Sequence, residues 1–126
     1  MADDDMRADF MKMDAVLKGI RGTSRLFRPP YGEIDRRVFE FVRSKKYHVV
    51  GWSMDTNDWK YYEQSDYLGK VMEELGGRAK SKSIVLMHDR DEKSAEVLKE
   101  ILELVIKTGY KATTVSKCLG INMKNK

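Results

Sequence analysis

Residues 47–59, YHVVGWSMDTNDW, decide the fold class of this 126-residue chain. The run YHVVGWSM at 47–54 is apolar along most of its length instead of alternating between apolar and polar residues. A strand of that kind is typical of a parallel sheet, where both faces are covered. The polar and aromatic residues DTNDW that follow predict a loop at the carboxyl end of the strand. The stretch therefore favours an α/β fold.

The segments on either side of this stretch alternate between helical and strand patterns. Apolar residues recur at helical spacing in segments at 3–20, 33–46, 66–80 and 93–109. Apolar runs predict strands at 25–27, 47–54, 83–89 and 110–115. We expect Gly76 and Gly77 to end the third helix. The order predicts one α/β domain, with a parallel sheet of about four right-handed βα units.

Three polar clusters each follow a predicted strand. They are RPPYG at 28–32, DTNDW at 55–59 and HD at 88–89. The carboxyl ends of parallel strands meet at one edge of a sheet, and ligands bind there in folds of this class. The three clusters are therefore expected to lie on one face and to form the functional site.

The first cluster offers groups that recognise negative charge. The planar guanidinium of Arg28 can hold a carboxylate through two parallel hydrogen bonds. After the two prolines, the backbone N–H of Tyr31 can point at an oxyanion. The alternative is that RPPYG forms only a tight turn.

The third cluster places His88 at the end of an apolar strand, where it is a candidate general acid. A nearby carboxylate would orient the ring and stabilise its protonated form. Asp58 is the expected partner, and Asp89 and Asp55 are the alternatives. A lone histidine at a strand end is more often structural than catalytic, so that alternative stays open. We assign no role to His48.

Taken together, FRPPYG, VGWSMDTNDW and IVLMHD strongly resemble the polysaccharide deacetylases of the NodB-homology type, which form carbohydrate esterase family four. Chitin deacetylases are the most similar members. The resemblance runs from about residue 4 to residue 118. It implies a distorted (β/α) barrel with the site at the carboxyl ends of the strands. It also implies metal-dependent hydrolysis of N-acetyl groups on polymers of N-acetylglucosamine.

The resemblance also implies a role for each matching residue. Arg28 would orient the aspartate that acts as catalytic base, and Tyr31 would supply its N–H to the oxyanion. Asp58 would tune His88, which would protonate the leaving amine. The residues expected to contact substrate are Trp59 and Leu86, in the pocket for the acetyl methyl group, and Pro30, in the groove wall.

Two motifs of that family are missing from the sequence. One has the form T-F-D-D-G-P and supplies the base and a metal ligand; the other, H-[ST]-x-x-H-P, supplies two further ligands. The chain has two histidines, His48 and His88, which are 40 residues apart. The divalent metal expected for the family, zinc or cobalt, therefore has no family ligands in this chain, and we predict no metal site.

Four strands also cannot close a barrel. We therefore expect residues 1–126 to be the C-terminal part of a deacetylase domain with little activity in isolation. A missing N-terminal half or a homodimer would complete the fold.

The composition limits the other classes of function. The net charge is +4 and the isoelectric point is about 9.1, but basic and acidic residues interleave, which argues against nucleic-acid binding. No apolar run approaches the roughly 20 residues of a membrane span. The single cysteine, Cys118, is expected to be structural, and no export signal is recognisable.

A chitin-like polysaccharide or chitooligosaccharide is the expected partner, and peptidoglycan and xylan stay open. The resemblance implies a secreted or wall-associated protein. The alternative function is a non-catalytic carbohydrate-binding or assembly module that uses Trp59, Tyr61 and Tyr62.

Overall fold

The computed structural model describes residues 3–78 and 81–121. Six α-helices, four short strands and one 3-10 turn follow one another in these residues. In chain order they are α1 (Asp3–Lys18), β1 (Leu26–Phe27), the 3-10 turn (Pro30–Gly32), α2 (Arg36–Ser44), β2 (His48–Val49), β3 (Met54–Asp55), α3 (Asp58–Tyr61), α4 (Tyr67–Arg78), β4 (Val85–Leu86), α5 (Glu92–Lys107) and α6 (Val115–Cys118).

The strands pair in parallel, as predicted, but they form two separate pairs. β1 pairs with β2, and β3 pairs with β4. The predicted strand at 47–54 was wrong in one respect, because it is divided into β2 and β3. The chain changes partner between them: Val50 donates to Phe27, whereas Ser53 donates to Ile84. Gly51 lies at this change, where glycine favours a break in a strand.

Helix α4 extends beyond its predicted end. The sequence predicted termination at Gly76 and Gly77, but the helix continues to Arg78. A glycine inside a helix costs about 1 kcal/mol relative to alanine. Burial of Val71 and Leu75 in the core offsets this cost, since both side chains are almost fully enclosed.

The predicted last strand, at residues 110–115, is wrong. Residues 110–114 form neither helix nor strand, and α6 begins at Val115. Thr114 caps this helix, because its hydroxyl accepts a hydrogen bond from the Lys117 N–H. β-Branched residues favour strands only where a neighbouring strand is available for pairing. The loop predicted for DTNDW at 55–59 also differs, because the short helix α3 begins within it at Asp58.

Two groups of packed side chains hold these elements together. The first lies between β3, α4 and α5 and supports the carboxyl ends of β3 and β4; its buried members are Met54, Tyr67, Val71, Leu75, Val97 and Ile101. The second is aromatic: the ring of Phe10 on α1 lies 5.2–5.8 Å from the rings of Phe27, Phe41 and Tyr47. Among the described residues, no helix combines the length and apolarity needed to cross a membrane.

A buried carboxylate ties α1 to the second group. Asp14 is 4% exposed, and its oxygens contact Lys18 Nζ at 2.6 Å and the Tyr47 hydroxyl at 2.9 Å. The Lys18 ammonium, and to a lesser degree the Tyr47 hydroxyl, hold the pKa of Asp14 below its usual range despite burial. Burial raises the pKa of Tyr47, and the hydrogen bond to Asp14 raises it further.

Candidate active site

A buried aspartate at the start of α3 joins the ends of β3 and β4. Asp58 is 2% exposed. One of its oxygens, Oδ1, accepts from the Trp59 N–H at 2.9 Å and lies 2.8 Å from His88 Nδ1. The other, Oδ2, accepts from the His88 N–H at 2.5 Å. Three donors therefore converge on one enclosed carboxylate.

The contact fixes which histidine nitrogen remains available. An ionised carboxylate only accepts hydrogen bonds, so His88 Nδ1 carries the hydrogen that points to Asp58. Nε2 is then the nitrogen left for another partner, and the His88 side chain is 42% exposed. Of the three candidate aspartates, Asp58 is the one in contact with His88. Asp55 instead accepts from the Asn57 N–H at 2.8 Å, and Asp89 is exposed.

Local backbone geometry brings Asp58 into place. Asn57 has φ 52° and ψ 24°, in the left-handed region that asparagine tolerates better than most residues. Thr56 is fully buried, and both its N–H, at 3.3 Å, and its hydroxyl, at 2.9 Å, donate to the Leu86 carbonyl. The sequence reasoning missed Thr56, although a threonine inside a polar loop was a signal for a side chain that bonds to backbone.

The Asp58 charge also influences a neighbouring hydroxyl. Burial raises the pKa of Tyr67, and the negative charge of Asp58 raises it further. Trp59, next to Asp58, is 52% exposed. An exposed indole beside a buried carboxylate is suited to contact with a ligand, but its role in binding stays a prediction, as does that of Leu86.

The Arg28 guanidinium lies against a second tryptophan. Nη2 donates to the Gly51 carbonyl at 3.3 Å, and the guanidinium carbon lies 5.8 Å from the centre of the Trp52 ring. Nε is buried without a hydrogen-bond partner in the described part of the chain. A methyl group on Gly32 would lie 2.6 Å from Trp52 Cη2, so this close approach requires glycine. The sequence reasoning missed Trp52, which no local pattern linked to RPPYG.

Tyr31 stands out from the turn that follows β1. It is 97% exposed and has φ 58° and ψ 6°. A left-handed conformation costs a non-glycine residue about 1–3 kcal/mol. The turn is closed by the N–H groups of Gly32 and Glu33, which donate to Pro29 and Pro30 at 3.0 and 3.2 Å. These two bonds do not use the N–H of Tyr31.

The structure thus brings some predicted site residues together and leaves others apart. Asp58 and His88 are in direct contact. Trp59 donates its N–H to Asp58, and the Leu86 carbonyl, two residues before His88, accepts from Thr56. The contacts of Arg28 within the described residues are with Gly51 and Trp52, and they do not extend to the Asp58–His88 pair.

Known proteins with related sequences identify the family. Chitin deacetylase 1 of Saccharomyces cerevisiae is 35% identical over 99 residues, which cover 76% of this chain and 32% of the yeast protein. The peptidoglycan-N-acetylglucosamine deacetylase PgdA of Listeria monocytogenes is 36% identical over 93 residues, covering 74% and 18%. The chain belongs to the polysaccharide deacetylases of carbohydrate esterase family four. No protein-family model matches it.

The fold of this family-four chain agrees with that assignment. The structure of the chitin deacetylase from the fungal pathogen Colletotrichum lindemuthianum matches it with a TM-score of 0.83 at 20% identity. The match covers 99% of this chain and 58% of that structure. The predicted fold class, part of a distorted (β/α) barrel of the NodB type, is confirmed. The chain spans about a third or less of the two curated relatives.

The residues present do not fit the metal that family membership implies. Within residues 3–78 and 81–121, no group of three or more His, Cys, Asp or Glu side chains is placed to hold a metal ion. The aspartates next to the site are not grouped as metal ligands. Asp58 accepts from three donors, Asp55 accepts from a backbone N–H, and Asp89 is exposed. A catalytic zinc site needs three protein ligands.

Proposed function

We propose that residues 1–126 form the C-terminal part of a polysaccharide deacetylase domain that removes N-acetyl groups from polymers of N-acetylglucosamine. One observation carries the proposal: a buried, fully hydrogen-bonded Asp58 contacts His88 while the histidine ring stays 42% exposed. A histidine held in that way is oriented by the protein and is still accessible to a substrate.

In this proposal His88 is the general acid. Amide hydrolysis releases an amine, which leaves readily only when it is protonated. Protonated Nε2 gives its proton to the leaving nitrogen, and Asp58 holds Nδ1 and stabilises the imidazolium before the transfer. Such proton transfer contributes about 10²–10⁴-fold to the rate.

The first cluster supplies the remaining contacts. Arg28 orients the carboxylate of the catalytic base, and its buried Nε supports this role because that donor still lacks an acceptor among the described residues. The N–H of Tyr31 binds the oxyanion of the tetrahedral intermediate. Trp59 and Leu86 line the pocket for the acetyl methyl group, and Pro30 forms part of the groove wall.

The isolated chain is proposed to have little or no deacetylase activity. The base and the ligands of the divalent metal, zinc or cobalt, lie outside these residues, either in an N-terminal half of the same domain or in a partner chain. The complete protein acts on chitin or on peptidoglycan, the substrates that the names of the relatives indicate. From these substrates we infer a location outside the cell or at the wall.

A chimeric enzyme tests the proposal directly. The region of this chain that matches the yeast chitin deacetylase would replace the matching 99-residue region of that enzyme, and acetate release from chitooligosaccharides would be measured with added zinc. The chimera is expected to be active. His88→Ala should lower its kcat by about 10²–10⁴-fold. His48→Ala, the matched control at the other histidine, should leave kcat unchanged.

Two results would contradict the proposal. An active chimera whose kcat does not change on His88→Ala would remove His88 as general acid. An inactive chimera, together with chelator-resistant binding of chitooligosaccharides by the isolated chain, would favour a non-catalytic carbohydrate-binding module.

A further inference from the structure

Two chain segments meet around His88 at three successive points. The first segment, residues 55–62, carries Thr56, Asp58 and Tyr62. The second, residues 86–94, carries their partners. Thr56 binds the Leu86 carbonyl, Asp58 binds His88, and the hydroxyl of Tyr62 donates to Asp91 Oδ2. The first two contacts belong to the candidate site, and the third lies beyond it.

The third contact holds the residue that starts α5. Asp91 is the N-cap of that helix, and its Oδ1 accepts from the N–H groups of Lys93 at 3.0 Å and Ser94 at 3.4 Å. Its other oxygen binds Tyr62. Residues 89–91 therefore lie between two fixed points, His88 on Asp58 and Asp91 on Tyr62.

Tyr62 is itself anchored. Its ring meets the ring of Tyr67, a buried core residue, edge-on at 5.6 Å between centroids. The Arg90 guanidinium and the Lys93 ammonium lie 4.6 and 5.2 Å from the ring centre. Its hydrogen bond lowers the pKa of Asp91, and Asp91 raises the pKa of Tyr62. The core thus extends through one tyrosine to the loop that carries His88.

We propose that Tyr62 is a positioning residue for His88: by binding Asp91 it fixes the loop 87–91 and keeps the histidine ring turned toward Asp58. This inference rests on the proposed role of His88 as general acid. Without the hydroxyl, the loop is held at one end only, and the His88 peptide and ring leave Asp58 more often. His88 is then still present as the general acid, but its ring is positioned less precisely.

The chain offers a matched control beside Tyr62. The hydroxyl of Tyr61 donates to Glu74 at 2.9 Å, a bond that joins α3 to α4 and does not involve the His88 loop. Tyr61→Phe and Tyr62→Phe therefore remove the same atom from adjacent residues. Asp91→Asn is a second variant, because asparagine caps a helix as well as aspartate but binds a tyrosine hydroxyl more weakly without the charge.

Nitrogen NMR of the 126-residue chain tests the proposal without requiring turnover. The chain has two histidines, so His48→Gln assigns the ring signals of His88. In the wild type, Nδ1 should carry the hydrogen when the ring is neutral. Tyr62→Phe should lower the fraction of that tautomer and speed exchange of the His88 amide hydrogen by about three- to tenfold. Asp91→Asn should shift both in the same direction, and Tyr61→Phe should change neither.

The proposal is overturned if Tyr62→Phe keeps the wild-type tautomer and exchange rate, or if Tyr61→Phe changes them equally. If Tyr62→Phe does not fold, Asp91→Asn tests the same contact through the same tautomer and exchange measurements. In the active chimera, Tyr62→Phe should lower kcat by about three- to tenfold and leave KM unchanged. A chimera without activity would contradict the proposed function and leave the NMR result standing.

Discussion

Replacing Asp58 with alanine should destabilise the chain more than any other change in the candidate site. The substitution removes the acceptor of three hydrogen bonds, two from backbone N–H groups and one from a histidine ring. Breaking a buried, charged hydrogen-bond group typically costs about 3–5 kcal/mol. The Trp59 and His88 N–H groups are left without their partner, and His88 can recover part of the loss by turning to water. We expect a loss of about 3–4 kcal/mol.

Asp58→Asn separates the charge from the shape of the side chain. Asparagine keeps one acceptor oxygen, but its NH₂ group takes the place of the other oxygen and faces a donor that this oxygen binds in the wild type. At least one hydrogen bond is lost in either orientation. The expected cost is about 1–3 kcal/mol, so this variant remains informative even if the alanine variant is unfolded.

The measurement is urea unfolding at neutral pH, followed by far-ultraviolet circular dichroism, with the midpoint and the slope compared among variants. Asp55→Ala is the control, because Asp55 lies in the same loop but accepts one backbone bond, from Asn57. It should lose about 1 kcal/mol. A loss below about 1 kcal/mol for Asp58→Ala, or one equal to that of the control, would refute the reasoning.

Two further predictions concern other parts of the fold. Because Lys18 holds the pKa of Asp14 below its usual range, ionised Asp14 stabilises the protein at neutral pH, and this contribution is lost as the pH falls through the lowered pKa. Asp14→Asn should therefore cost about 1–2 kcal/mol in thermal unfolding at neutral pH, and the cost should shrink as the pH is lowered through the pKa of Asp14; a cost that does not change with pH would contradict the ion pair. Gly32→Ala should cost about 1–3 kcal/mol and shift tryptophan fluorescence, since the methyl group would meet Trp52. At Gly51 an added methyl group has no atom within 4 Å outside its chain neighbours Val50 and Trp52, so Gly51→Ala should cost less than Gly32→Ala.

The sequence predicted the helices better than the strands, for a physical reason. Helix α5 shows its apolar spacing, its capping Asp91 and a terminal Gly109 within one continuous segment. A strand depends on its partner, which lies far away in the chain. The division of the predicted strand at 47–54 follows from hydrogen bonds to Phe27 and Ile84, and no local pattern encodes that exchange. Residues 110–115 have strand propensity, yet the local cap at Thr114 favours a helix instead.

The same distinction separates the site contacts that the sequence predicted from the contacts that it missed. Asp58 and His88 could be paired from topology, because each follows a strand and parallel strands end at the same edge. Trp52 and Tyr62 could not, since their contacts depend on the angle at which whole elements pack. Trp52 lies between β2 and β3 and meets Gly32 of the 3-10 turn, and Tyr62, directly after α3, reaches Asp91 at the start of α5.

The Asp58–His88 pair and Arg28 differ in how many of their hydrogen bonds are made within the described residues. The Asp58 carboxylate is buried with three donors, so the part proposed to deliver a proton is complete within these residues. Arg28 instead holds a buried Nε that has no acceptor among the described residues. Leaving a buried donor without an acceptor costs about 1–3 kcal/mol of stability, and more when the donor is charged. A buried arginine nitrogen is therefore expected to have an acceptor in the complete protein. In the proposed function the carboxylate of the catalytic base is such a group, so the unpaired Nε of Arg28 supports the proposal that this chain is one part of a larger deacetylase domain.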